Sequence, residues 1–258
     1  MRIVQDSNDE YHKSKAISAS GLKYIYQNSV YHFLKRKPFT SKSMELGTAV
    51  HTILIEGREK YFEDYFELPF IGDMRKKENR ELKESLSIKA GNKKIITHDE
   101  KVIISGLLEN FNKNELAKYY CKGEPELSHY TTFNDIEVRV RPDVKTDLWV
   151  SDVKTCQKSS KWAFRNDVYK YSYHLQAAFY CDVLGVDPKS FRFIACETNY
   201  PYYVEVYALN DTDIEKGRIA YKSALNDWKL YLETGIETGY KSDNYAEDGA
   251  LVLWKNLR

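Results

Sequence analysis

The sequence has no excess of either charge, no paired-cysteine spacing, no long apolar run and no internal repeat. Its 39 basic and 38 acidic residues leave a formal net charge of +1. No global field therefore draws the chain to nucleic acid or to a membrane surface, which argues against a protein that coats DNA. An acidic, metal-filled site with a local basic rim stays compatible with this balance. Cys121, Cys156, Cys181 and Cys196 follow no CxxC spacing, so neither a zinc site nor a disulfide framework is indicated. They read as buried free thiols of a reducing compartment. No run spans a bilayer, and the first residues lack the apolar stretch of a secretory signal, so a soluble intracellular protein without a membrane partner is expected.

What is present is enough for one full core: 258 residues fit a single domain over 1–258. The first 13 residues are polar and expected to be loose. Ile17-Ser18-Ala19-Ser20 before Leu22 and Ile25 reads as a serine-capped helix start. Met44, Leu46, Val50, Ile53 and Leu54 define a second helix, with Gly47 and His51 one turn apart. Residues 73–95 are dense in Lys, Arg and Glu, and are expected to form a mobile surface excursion because so little apolar surface anchors them. Thr97-His98-Asp99-Glu100 is a capping-box pattern. A β-meander is expected over residues 126–154, with Asn134-Asp135 as its first turn. Helices follow over about 159–169 and 173–184, the second ending at Gly185. Strands at 191–196 and 203–207 then lead to a long helix capped by Asn210. This order predicts an α+β, α/β/α-like fold with a mixed central sheet flanked by helices.

The chemistry is concentrated where Ile136-Glu137-Val138-Arg139-Val140 leads to Pro142-Asp143 and Leu148-Trp149-Val150 leads to Asp152-Val153-Lys154. Lys145-Thr146-Asp147 is a polar turn between them. Antiparallel pairing across it would bring Asp143 near Asp152, and two converging carboxylates suit Mg²⁺ or Mn²⁺. Strand alternation puts Asp152 and Lys154 on one face. A lysine there can orient or help deprotonate a water, or stabilise charge on a phosphate. By itself such a motif is also what an exposed turn and a solvated strand face look like. Gln176 and Tyr180 share a helix face and can hydrogen-bond a phosphate or a base edge. The His51 imidazole can serve as a further metal ligand.

Taken together, Gly47-Thr48-Ala49-Val50-His51, Pro142-Asp143, Asp152-Val153-Lys154 and Gln176-Ala177-Ala178-Phe179-Tyr180 resemble the RecB-type branch of the PD-(D/E)xK nucleases. Within it the chain most resembles the phage and prophage RecE-like, exonuclease VIII-type 5′→3′ exonucleases, over about residues 14–210. The helix start at Ile17 and the stretch from Phe193 to Tyr203, with Glu197 and Pro201, add to the likeness. The resemblance implies a restriction-endonuclease-like core. It implies Asp143, Asp152, the Val153 carbonyl and His51 as metal ligands, and Lys154 as the residue that positions or activates water. Gln176 and Tyr180 would bracket the DNA, and Ser18 or Ser20 would hold a terminal phosphate.

The implied activity is Mg²⁺-dependent 5′→3′ digestion of linear duplex ends, with Mn²⁺ as a substitute. It leaves 3′ single-stranded tails for recombination. Expected partners are duplex DNA ends, a RecT-like single-strand annealing protein and further copies of the chain in a ring, in the cytoplasm of a bacterial host cell. The cysteines do not match the iron–sulfur clamp of some relatives, so no cluster is expected. The alternatives are a single-strand exonuclease, an endonuclease of the same superfamily, or a non-catalytic DNA-binding protein that kept the fold.

Overall fold

The computed structural model describes residues 1–240. It begins with β1 (Arg2–Val4), α1 (Asn8–Lys13), β2 (Ile17–Ser18), α2 (Ala19–Gln27), α3 (Val30–Lys35) and α4 (Lys42–His51). Helix α4 runs on into a π-helical turn, Thr52–Glu56, closed by Gly57 N–H donating to the Thr52 carbonyl at 3.0 Å. Then come α5 (Arg58–Asp64), β3 (Tyr65–Glu67), α6 (Lys77–Ala90), β4 (Lys94–Ile96), α7 (His98–Lys113) and α8 (Glu115–Tyr120). The central strands are β5 (Glu124–Pro125), β6 (Ser128–Phe133), β7 (Ile136–Val140), β8 (Val144–Lys145) and β9 (Val150–Cys156). Helices α9 (Lys161–Lys170) and α10 (Tyr173–Leu184), strands β10 (Phe191–Glu197) and β11 (Val204–Tyr207), and α11 (Asp211–Thr234) complete it.

The expected caps are in place. Ser18 caps α2, Thr97 and Glu100 form the reciprocal box on α7, Asn210 caps α11, and Gly185 ends α10 in the left-handed conformation. Asn134 and Asp135 both have positive φ, the two-residue turn that suits a tight hairpin between β6 and β7.

Three expectations need correction. The stretch 126–154 is not one meander: β6 and β7 lie in a sheet ordered β1-β6-β7-β2, whereas β8 and β9 lie in β11-β10-β9-β8-β5. The chain changes sheets at Arg141-Pro142-Asp143, where Pro142 has no N–H to continue a ladder. The N-terminal segment is folded. β1 pairs with β6, Ser7 and Glu10 form a capping box on α1, and the Arg141 guanidinium donates to Asn8 Oδ1 and the Asp6 carbonyl, both at 2.8 Å. The charged stretch holds a 14-residue helix, α6, of which Ala90 alone is buried. Strong helix formers such as Glu, Lys, Leu and Arg supply its order, a contribution that low hydropathy conceals.

The larger sheet is mixed, with β9 and β10 parallel and the remaining pairs antiparallel. Alternation along its strands divides the core into two layers. Phe191, Phe193 and Ala195 of β10, with Val150 and Cys156 of β9, pack with α2, α10 and α11. Ile194, Cys196 and Val153 pack on the other side with Ala49 and Val50 of α4 and Ile104 and Leu107 of α7. Asp152 and Lys154 share parity with Val150 and Cys156, so they face the α2–α10 layer. Gly217 lets α11 press against α10: a Cβ there would lie 2.2 Å from the His174 carbonyl oxygen.

Candidate active site

Asp143 and Asp152 come together because β8 and β9 pair antiparallel, Val144 opposite Ser151 and Lys145 opposite Val150. Asp143 sits one step before that register, and its Oδ2 accepts from the Val153 N–H at 2.6 Å. Asp152 Oδ2 lies against the Lys154 ammonium, and Asp152 Oδ1 accepts from Gln176 Nε2 at 2.8 Å. His51, at the end of α4, approaches Asp143 Oδ1 through Nε2 and Glu126 Oε1 through Nδ1, each at 3.2 Å. His51, Asp143, Asp152 and Lys154, separated by up to 103 positions in sequence, thus meet at one point.

The electrostatics are tightly balanced. Burial would push His51 down, but Asp143, its hydrogen bond and Glu126 outweigh that and hold the imidazole at about 9. Burial would raise Asp143, yet His51, Lys154 and the Val153 amide hold it below the usual carboxylate range. Asp152 is raised by burial and by Asp143, with Lys154 opposing. Lys154 is raised because Asp152 and Asp143 overcome its burial. These are the opposed environments expected where two carboxylates share a site with cations.

The donor set fits a divalent ion. Asp152 Oδ2 and His51 Nε2 are buried and have no partner beyond Lys154 and Asp143 respectively, and the ligands on offer are hard carboxylate oxygens and one imidazole. Glu56 and Glu126 add carboxylate oxygens around His51, with the donors of all three residues within 4.8 Å of one another. The π-helical turn contributes here, because its extra residue sets Glu56 beside His51.

Gln176 and Tyr180 reach the site but are engaged with the protein. Both are buried: Gln176 Oε1 accepts from Lys23 Nζ at 3.0 Å while its amide holds Asp152, and the Tyr180 hydroxyl donates to the Arg141 carbonyl at 3.1 Å. Ser18 is also buried and its oxygen accepts from the Gly21 N–H, whereas Ser20 is exposed. All four residues line, with Asp143, Asp152 and Lys154, an open cleft of about 270 Å³.

Sequence reasoning missed Glu126, Glu56 and Lys23. Glu126 stands in an irregular segment with φ of 50°, where no periodicity flags it. Lys23 left a faint signal, since it lies three residues beyond Ser20 and so on the same helix face.

Residues 10–243 match the model of a family described as "PDDEXK-like domain of unknown function (DUF3799)". The comparison with curated proteins finds no match. Among solved structures, one from Eubacterium rectale named "Putative exonuclease" superposes with a TM-score of 0.65 and 11% identity. The alignment covers 99% of this chain and 97% of that one. SSO0001 aligns with a TM-score of 0.32 and 11% identity over 83% of this chain and 81% of that one, too distant to bear on the fold. The chain belongs to the PDDEXK-like family, and its mixed sheet flanked by helices is a restriction-endonuclease-like core.

Proposed function

We propose that this PDDEXK-like protein is a metal-dependent deoxyribonuclease that digests linear duplex DNA 5′→3′ from its ends, leaving 3′ single-stranded tails. The observation that carries the reading is the meeting of Asp143, Asp152, Lys154 and His51 at one largely buried point beside an open cleft, with Asp152 fully buried. Convergent carboxylates repel phosphate, so a module that only bound DNA would gain nothing from them.

Asp143, Asp152, His51 and the Val153 carbonyl would hold Mg²⁺, or Mn²⁺ in its place. A bound divalent ion supplies Lewis acidity to the phosphate and to the attacking water. The protein's own groups set the geometry. Gln176 fixes the plane of the Asp152 carboxylate, and the Val153 amide fixes that of Asp143. Lys154, held by Asp152, presents an ammonium that positions the water and meets the charge that develops on the phosphate. Ser20, exposed on the cleft beside the N-terminus of α2, is placed to take a terminal phosphate. Further copies of the chain in a ring and a single-strand annealing protein are the partners this activity calls for, in a bacterial cytoplasm.

The test is linear duplex DNA labelled at the 5′ or the 3′ end, with Mg²⁺ or EDTA. Early Mg²⁺-dependent release of 5′ label as mononucleotide is expected, and Asp152→Ala or Lys154→Ala should abolish it with the fold intact. Activity retained in both variants would sink the assignment. A circular duplex cut where a linear one is spared would replace the exonuclease with an endonuclease.

A further inference from the structure

We infer that Lys23 grips a phosphoryl oxygen of the DNA strand at or next to the scissile linkage. The inference rests on the nuclease reading of the same cleft and names the group that holds the substrate's charge.

Lys23 lies on the inner side of α2, in the wall that faces Asp152 and Lys154. Its ammonium donates to the neutral Gln176 Oε1 at 3.0 Å. An ammonium carries three donors, so two remain. Among the described residues no carboxylate lies within ion-pair distance of it. Asp152, the acid whose charge acts on Lys23, is already paired with Lys154. The two ammonium groups crowd one aromatic ring, with Lys23 Nζ 5.4 Å and Lys154 Nζ 4.9 Å from the centre of Tyr173. Burial, then Lys154, pushes Lys23 down to about 7, with Asp152 opposing.

A cation withdrawn from water beside a like charge, with no counter-ion of its own, costs the folded state free energy. A hydrogen bond to a neutral amide does not require a lysine. The missing partner is an anion, and the cleft shows what kind. Lys23, Lys154 and Ser20 line it together with the two carboxylates, Asp143 and Asp152. Once the two carboxylates are engaged by a divalent ion they no longer offset both lysines, and the cleft becomes a receptor for a singly charged, oxygen-rich group. A backbone phosphodiester is that group.

The rival is a positioning role, in which Lys23 serves only to turn the Gln176 amide toward Asp152. The two differ in what neutral DNA does. Binding of short duplexes would be titrated in Ca²⁺, to hold the complex without turnover. A single methylphosphonate would be walked through the terminal linkages, with wild type, Lys23→Met and Lys23→Arg. At one linkage, neutralisation should weaken wild-type binding about tenfold, the scale of one charge-assisted hydrogen bond. Lys23→Met should already be weakened that much on unmodified DNA and lose little more there, while keeping the full penalty at other linkages. Lys23→Arg should behave like wild type. Lys23→Met should melt no lower than wild type, because a half-buried cation with no counter-ion of its own is gone.

Equal penalties in wild type and Lys23→Met at every linkage would overturn the inference, as would a lower melting temperature with binding weakened alike at all positions. Wild-type protein that cleaves DNA but shows no such coupling removes this inference alone. Protein that neither binds nor cleaves any duplex removes the nuclease reading and this inference with it.

Discussion

Replacing Gly217 with alanine should loosen the seam between α10 and α11 and be felt at the active site. The new Cβ would stand 2.2 Å from the His174 carbonyl oxygen, 2.7 Å from its carbon and 3.1 Å from Ala178 Cβ. Unstrained carbon–oxygen contacts begin near about 3.3 Å, so the helices must part by roughly 1 Å. Neither can yield by a rotamer change, since the obstacle is backbone and nine of the twelve residues of α10 are buried. Overpacking of this kind costs about 1–3 kcal/mol, here toward the upper end. The better helix propensity of alanine returns about 1 kcal/mol. The net loss is about 1–2 kcal/mol, which for a chain of this size lowers Tm by about 2–8 °C. Gln176 lies between the two α10 residues that are struck, so the shift reaches the amide that holds Asp152. The turnover rate should therefore fall more than DNA affinity does. Thermal unfolding by circular dichroism and single-turnover cleavage would read both effects. A Gly217→Ala protein more stable than wild type, as at an ordinary exposed helical glycine, would refute the packing argument.

Glu126 should govern metal affinity through His51, because its carboxylate takes the ring nitrogen turned away from Asp143. Glu126→Ala should weaken Mn²⁺ binding about 10–100-fold by calorimetry, and Glu126→Gln, which keeps an acceptor, should lose less; equal affinity in all three proteins would contradict this. Acid should destabilise the fold through His12, His129 and His174, each pulled below the ordinary imidazole value with burial as the largest cause. The unfolded chain takes up protons near pH 6.5 that the folded chain refuses until lower pH, so stability is full above that value and is lost as pH falls through the depressed ones. The urea midpoint should be lower at pH 5.5 than at pH 7.5, with a smaller drop in His174→Gln, and an identical drop in both proteins would remove His174 from the account.

Much of this was legible in the chain because its signals are local. The caps at Ser18, Thr97 and Asn210, the Asn134-Asp135 turn and the Gly185 stop each depend on a few neighbouring residues, and each is where the sequence puts it. The approach of Asp143 to Asp152 was legible too, since one turn and a period of two determine it. What escaped depends on distance. Lys23 and Glu126 enter the site from separate elements and carry no periodicity of their own. The division of strands between two sheets is decided by the partners that β1, β2, β10 and β11 offer, none of which lies within the stretch 126–154. The charged stretch is the surface element its composition indicates, with Ala90 alone of α6 buried, but composition does not reveal the helix, which side chains such as Lys77 and Glu81, one turn apart, support.

The π-helical turn after His51 bears on how such sequences are compared. A helix that gains one residue must either rotate everything beyond it by about 100° or absorb the newcomer in a wide turn. Here the wide turn absorbs it, and Glu56 stays beside His51 although five positions separate them. A chain one residue shorter in this stretch would hold the same pair at the four-residue spacing of a plain α-helix. Helix geometry thus lets a histidine and a glutamate meet at an interval of four in a plain α-helix or of five across a π-helical turn. An alignment that insists on one spacing would pass over a chain whose histidine and glutamate coincide with these in space.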